Sequence, residues 1–216
     1  MNPETAQVWA SLAAGFGTLF LGFVALFGVT IREYYRRPKL EIRFGEGPPF
    51  QHVMPRAGSG GRPHILCVRV SIANVGRSAA RAVEVVATAL STKYTQTGWA
   101  RVEGWVPQNL TWAYADPETL VDPWMPQLSP GVEKHCNVAF VEERPAEDRL
   151  LLVLAVAVRS TAAEHRQVPG TYRIGLQVAA ANAKAERRVL EVTLDPLWHP
   201  STRERPEKTL EAELLP

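Results

Sequence analysis

A mainly β protein, built from one N-terminal transmembrane α-helix followed by an antiparallel immunoglobulin-like β-sandwich, is predicted by three features of the sequence. An uncharged apolar run near the N-terminus is long enough to cross a bilayer. After Pro38 the hydrophobic period shifts from 3.6 toward 2. Seven or so short strands separated by turn signals then follow, which is the pattern of a sandwich. Composition narrows the class further. The 216 residues carry 24 Lys+Arg against 22 Asp+Glu, a net charge of +2, 46% hydrophobic residues and two Cys. A disulfide-stapled mini-protein would hold more cysteine, a disordered chain less apolar content, and a nucleic-acid binder relying on gross charge far more Lys and Arg. The partners expected are a lipid bilayer, a homo-oligomer and an unknown protein or small ligand, with no nucleic acid.

Residues 1–7 read as a short extracytoplasmic tail and residues 8–31 as the span. Between Glu4 and Arg32 no residue is charged, and Val8–Ile31 holds four Leu, four Phe, three Val and one Ile. As a helix this run is roughly 36 Å long, against a hydrocarbon core of about 30 Å. Its strongly apolar residues contribute about −4 to −7 kcal/mol to insertion before the opposing small and polar residues are included. A cleaved signal peptide would have a basic n-region and a shorter apolar core, whereas here the basic residues follow the run. Arg32, Arg36, Arg37, Lys39 and Arg43 come after it, and the seven residues before Val8 contain no Lys or Arg. The positive-inside rule therefore predicts an N-terminus outside and a C-terminal domain in the cytoplasm. Trp9, Tyr34 and Tyr35 suit the two interfacial belts.

Ser11, Gly15, Thr18, Gly22 and Ala25 are spaced 4, 3, 4, 3 and form a stripe of small residues, with the bulky Leu and Phe elsewhere. Small residues let two helix backbones approach closely, so the stripe is a candidate self-association face. The alternative is that such lines arise freely in Gly-rich and Ala-rich spans. The basic segment 32–37, with Lys39, is both an orientation signal and a candidate contact for anionic lipid headgroups through Arg32, Arg36, Arg37 and Lys39, worth about 1 kcal/mol per residue near the surface.

The sandwich is assigned to residues 38–195. Leu40, Ile42 and Phe44 alternate with Lys39, Glu41 and Arg43, predicting a first strand. Residues 45–63 carry GPP and AGSGG and read as a mobile loop. From His64 to Asn74, Leu66, Val68, Val70 and Ile72 share one face, and Asn74-Val75-Gly76-Arg77 turns the chain into Arg81–Leu90, so that the pair reads as adjacent strands of one sheet. Further strands are expected at Gly98–Trp105, Val132–Val141, Leu150–Arg159, Gly170–Ala180 and Arg187–Leu194. Residues 106–131 hold five Pro and cannot be a central strand. They read as a crossover that lays Trp112, Tyr114 and Trp124 over an end of the sandwich, either as a ligand or partner surface or as a cap on the core. In the polar tail 196–216, Pro206 with Leu210 and Leu214 suits a short helix or a loose end.

The chain resembles an uncharacterised bacterial family with one N-terminal transmembrane helix and a cytoplasmic immunoglobulin-like β-sandwich. The resemblance runs along most of the chain and rests on RRPKLEI from Arg36, VSIANVGRSAA from Val70, NLTW from Asn109, SPG from Ser129, His135-Cys136, and PGTYRI from Pro169 leading to AAANAK from Ala179. The NVGRSAA turn is also similar to the N-x-G turn of bacterial adhesion-type sandwich modules. The resemblance implies architecture and location and carries no activity.

No catalytic residue, metal ligand or cofactor is expected. The spacing of His64 with Cys67 and of His135 with Cys136 argues against a shared zinc site, because on strands each pair points to opposite faces. They read instead as leaving two buried free thiols in a reducing compartment. Gly58, Gly60 and Gly61 lack the Lys-Ser or Lys-Thr of a phosphate loop, and no GxSxG elbow is present. Asn109-Leu110-Thr111 matches a glycosylation sequon that would be silent in the cytoplasm, and Glu142-Glu143 beside Arg144 reads as a solvated charge cluster. The leading expectation is a membrane-anchored cytoplasmic binding module without catalysis. Two alternatives stay open: an oligomeric membrane effector triggered by ligand binding to the sandwich, and a metal-dependent enzyme using the His/Cys sites.

Overall fold

The computed structural model describes residues 3–54, 65–94, 98–113, 124–144, 149–157, 165–195 and 210–215. The chain divides into two compact units, Met1–Arg37 and Pro38–Pro216. The first is one helix, α1 (Pro3–Arg36). Pro3 starts it where a missing N–H costs nothing, Glu4 suits the positive end of the dipole and Arg36 the negative end. Pro38 disfavours helical geometry at Arg37 and so ends it. Gln7–Val29, with mean hydropathy 2.1, is long and apolar enough to cross a membrane. The helix continues without a break through Arg36, so the basic segment 32–37 is mostly its last turn.

The second unit is two antiparallel sheets. In chain order the strands are β1 (Leu40–Arg43), β2 (Gln51–Met54), β3 (Ile65–Asn74), β4 (Ala80–Tyr94), β5 (Gly98–Arg101), β6 (Gln108–Asn109), β7 (Trp124–Leu128), β8 (Glu133–Arg144), β9 (Arg149–Leu154), β10 (Arg166–Gln167), β11 (Gly170–Ala180), β12 (Ala183–Leu194) and β13 (Leu210–Leu215). The first sheet has the order β1-β3-β8-β9-β10 with β2 also on β3. The second has the order β13-β12-β11-β4-β5 with β6 and β7 also on β4. Alternate residues of both sheets meet in one core: Val68, Val70, Ile72 and Leu152 from the first, Val85, Leu90, Ile174, Leu176 and Val192 from the second. Two sheets sharing a buried layer is the sandwich solution to burying one face of each.

The expected strands are present with shifted ends, but β3 and β4, expected as neighbours in one sheet, lie in different sheets, because β1 and β2 take one edge of β3 and β8 the other. Three further segments differ from expectation. Gln51–Met54, inside the stretch read as a loop, pairs with β3 and sets Val53 opposite Leu66; the part of that loop after it, 55–63, lies outside the described residues. Leu210–Leu215 is neither helical nor loose. It closes on β12 as an edge strand, because Leu210, Ala212 and Leu214 together supply a period of 2 that reaches the core, where Leu210 and Leu214 alone suggested a period near 4. The unit thus extends past residue 195. Finally, the proline-rich crossover contributes two short strands, both laid on β4. Pro126 in β7 is tolerated beside β4, where the ladder skips the position of Ala82, whose φ is 49°.

Candidate functional site

Along α1 the large side chains are exposed, with Phe16, Leu19 and Leu26 each at least 70% so. Gly15 and Gly22 have open space where a side chain would stand. Ser11 and Thr18 donate their hydroxyls to the carbonyls one turn back, Gln7 at 3.0 Å and Ala14 at 2.9 Å. These hydroxyls are already satisfied, so the stripe Ser11, Gly15, Thr18, Gly22, Ala25 offers close van der Waals approach rather than hydrogen-bond donors.

Of the basic residues expected at lipid headgroups, Arg36 and Arg37 are exposed, and Arg32 is helical with its side chain outside the described residues. Lys39 is engaged: its ammonium donates to Glu41 Oε1 at 2.9 Å, while Arg43 reaches Glu41 Oε2 at 3.0 Å and Glu133 at 3.6 Å. Lys39, then Arg43, holds the Glu41 carboxyl below its usual range. Glu41 therefore cancels part of the positive charge that the sequence places after the span.

Immediately beyond, the chain is clamped by the turn after β3. Asn74 is fully buried, and its Nδ2 donates to Ser78 O at 2.8 Å and to Leu128 O at 2.9 Å. Its Oδ1 accepts from Gly76 N at 3.0 Å. The Val75 N–H donates to Lys39 O at 2.8 Å. Gly76 then lies so close to Pro38 and Lys39 that an added Cβ would stand 2.6 Å from Pro38 Cα. The NVG turn thus fastens the first residues of the β unit.

The aromatic crossover residues part company. Trp112 is 6% exposed and belongs to the core. It sits opposite Cys136 where the segment after β6 leaves the second sheet for the first: Leu110 N donates to Val85 O, whereas Thr111 N donates to Ala155 O and Ala113 N to His135 O. Trp124 is 47% exposed, on β7 opposite Glu84. Tyr114 lies outside the described residues. Trp112 is therefore part of the cap on the core, and Trp124 keeps an accessible ring on the second sheet.

Two features were not read from the sequence. The first is that the far side of β3 is buried too: Cys67, Arg69, Ser71 and Ala73 are as enclosed as Val68, Val70 and Ile72. Arg69 Nε donates to Asn137 Oδ1 at 2.7 Å, and the Cys67 thiol approaches the same oxygen at 3.5 Å. Ser71 and His135 are cross-strand partners, and Ser71 Oγ and His135 Nδ1 are buried without a hydrogen bond, with the Phe50 ring edge-on to the imidazole at 5.9 Å. The run LLLVLAVA from Leu150 was the available signal, since a strand buried on both faces reads as continuous apolar sequence.

The two cysteines are free and buried. Burial pushes the Cys67 thiol up to about 11 against the opposing pull of Arg69. It raises Cys136 as well, and the neighbouring Cys67 adds to that. Cys136 points into the core, while Cys67 lies on the other side of the sheet. His64 lies outside the described residues, and no group of three His, Cys, Asp or Glu suited to a metal occurs among the described residues. At pH 7.5 only about one Cys67 in a few thousand is thiolate. Native protein should therefore resist iodoacetamide for hours and react at both sites once unfolded in guanidinium, as read by intact mass. Rapid labelling of the folded chain would contradict this placement.

The second feature is the exposed side of the second sheet. Arg101, Ser91, Arg173, Glu191 and Glu213 line up across β5, β4, β11, β12 and β13 by register. Arg173 donates from Nε to Glu191 Oε2 at 2.9 Å, and its guanidinium lies 4.0 Å over the Trp99 ring. Lys93 and Arg101 are exposed at the β4–β5 margin, Glu211 and Glu213 at the β13 margin. Towards the other end of the face, Glu84 on β4 accepts from Asn109 and Arg187 on β12 donates to Gln177. Trp99, in the strand Gly98–Arg101, was legible as a strand residue but not as the ring under Arg173 at the margin of a charged face. Comparison of the chain with protein-family models, with curated proteins and with solved structures finds no match.

Proposed function

We propose that this protein is a single-pass anchor of the bacterial inner membrane whose cytoplasmic immunoglobulin-like sandwich is a binding module for a protein or small ligand. The observation that carries the reading is the pairing of a fully exposed apolar helix with a β unit that already has a complete core of its own. Such a helix has no place in water, and lipid is the solvent that suits it. The orientation rests on Arg32, Arg36 and Arg37 after the span and on Glu4 before it. The immunoglobulin-like class is supported by the neighbours β12-β11-β4 in one sheet and β1-β3-β8 in the other. It is supported also by Tyr172, whose hydroxyl donates to Val168 O at 2.6 Å at the start of β11 in the manner of a tyrosine corner. The exposed Trp124 and Trp99 ring supply the kind of aromatic surface that partner recognition uses.

A reporter fused after Pro216 should be active in the cytoplasm and silent in the periplasm, with the chain extracted from membranes by detergent alone. Periplasmic activity would sink the orientation. Association through the span is tested separately. Gly15→Leu with Gly22→Leu should cut crosslinking between spans several-fold, and equal crosslinking in the variant would remove the small-residue stripe from the account.

A further inference from the structure

The exposed side of the second sheet carries its charges in a pattern that fits itself. Lys93 and Arg101 stand on the β4–β5 side, Glu211 and Glu213 on β13, and none of the four carries an ion pair among the described residues. Between them the row is neutralised, Arg173 being paired with Glu191 and stacked on Trp99. Below that row the surface is small or apolar, with Ala89, Gly175 and Val189 in register across three strands. Towards the other end the signs reverse, Glu84 on β4 and Arg187 on β12.

We infer that this face is the seat of the same face from a second copy of the chain, packed about a two-fold axis running along the strands. That axis lays β5 of one copy over β13 of the other, so that Lys93 and Arg101 meet Glu211 and Glu213 twice. It also brings Glu84 towards Arg187 at the far end. A two-fold axis across the strands would spend the unpaired charges on Glu84 and Arg187, which already have hydrogen-bond partners in their own chain. The strand-parallel axis is the one that gives all four unpaired charges a partner. An isologous contact needs this self-complementarity. Five strands about 4.8 Å apart, with β11 running about 35 Å, offer about 800 Å² per copy, the size of a standard specific interface. Affinity comes from the Trp99 ring and the small-residue strip, and the charges fix register and exclude other partners.

This rests on the reading of the β unit as an interaction module and names its partner. The test uses the full chain in excess detergent micelles in the Gly15→Leu, Gly22→Leu background, so that contacts between spans do not contribute. Association is read by energy transfer between two labelled populations. Lys93→Glu with Arg101→Glu makes both margins acidic, and Glu211→Lys with Glu213→Lys makes both basic. Each variant alone should associate at least tenfold more weakly than the parent, and an equimolar mixture of the two should recover the parent's affinity. The parent's affinity should fall between 50 and 500 mM salt. Glu211→Gln with Glu213→Gln, which removes charge without reversing it, should give an intermediate loss and guards against a folding defect, with circular dichroism confirming the fold of each. A monomeric parent, single variants that associate like the parent, or a mixture no tighter than its components would each overturn the face-to-face dimer. The reporter and the span crosslinking read the anchor independently and would stand.

Discussion

Gly76→Ala is expected to destabilise the β unit by about 3 kcal/mol or more, or to prevent its folding outright. The reason is steric, since the new methyl would stand far inside van der Waals contact with the backbone of Pro38 and Lys39. A flexible side chain could swing aside, but these atoms are main chain at the start of β1. Moving them breaks the bond from Val75 N to Lys39 O and shifts the Leu40↔Asn74 register that follows. Guanidinium unfolding of the full chain in micelles, followed by Trp fluorescence, should show a midpoint well below that of the parent. Gly131→Ala is the informative contrast. Gly131 has φ 72° with open space around it, so only backbone strain of about 1 kcal/mol is at stake there. Equal midpoints for Gly76→Ala and the parent would show that the clamp is not closed.

Asn74→Ala is expected to cost about 3–4 kcal/mol. Its side chain holds three backbone groups: the carbonyls of Ser78 and Leu128 and the amide of Gly76. Asn74 itself is fully enclosed. Removing the amide leaves the buried Leu128 carbonyl and the part-buried Ser78 carbonyl and Gly76 amide without their partner, which is the expensive kind of loss. Asn74→Asp separates the contributions, because it keeps the acceptor for Gly76 N but loses both donations. It should recover only a minor part of the loss at neutral pH, where the carboxylate would face two carbonyl oxygens. If both variants unfold with the parent's midpoint, the three bonds contribute nothing and the turn is held by packing alone.

How far the sequence carries this molecule can be judged from these same residues. Val68, Val70 and Ile72 alternate cleanly, and the strand and its core face follow from that. The NVGR turn was legible as a turn because Asn and Gly have the needed chemistry. That Gly76 is pressed against Pro38 was not legible, since the contact joins residues far apart in sequence and nothing local to either reports it. Lys39 is the opposite case: its alternation with Leu40 already puts it on one side of β1 with Glu41 and Arg43, and the ion pairs formed there are what make it more than a free cation. β13 was missed because Leu210 and Leu214 satisfy helical spacing as well as strand spacing, and the free edge of β12 decides between them. Trp112 and Trp124 look alike as sequence. They differ because the chain passes from one sheet to the other at Leu110–Thr111, which sends Trp112 inward and leaves Trp124 on an edge strand.

That passage has a mechanical consequence. In most sandwiches the layers are held to each other by side-chain contact, which permits small sliding. Here Ala157 N donates to Asn109 O at 2.7 Å and Asn137 N to Thr111 O at 2.8 Å, while Leu110 N remains bonded to Val85 O on the opposite layer. A single extended stretch is thus stitched by amide bonds to both walls, and any shear between them must tear directional bonds as well as disturb packing. A pull arriving at either wall is borne by the whole β unit as one stiff body.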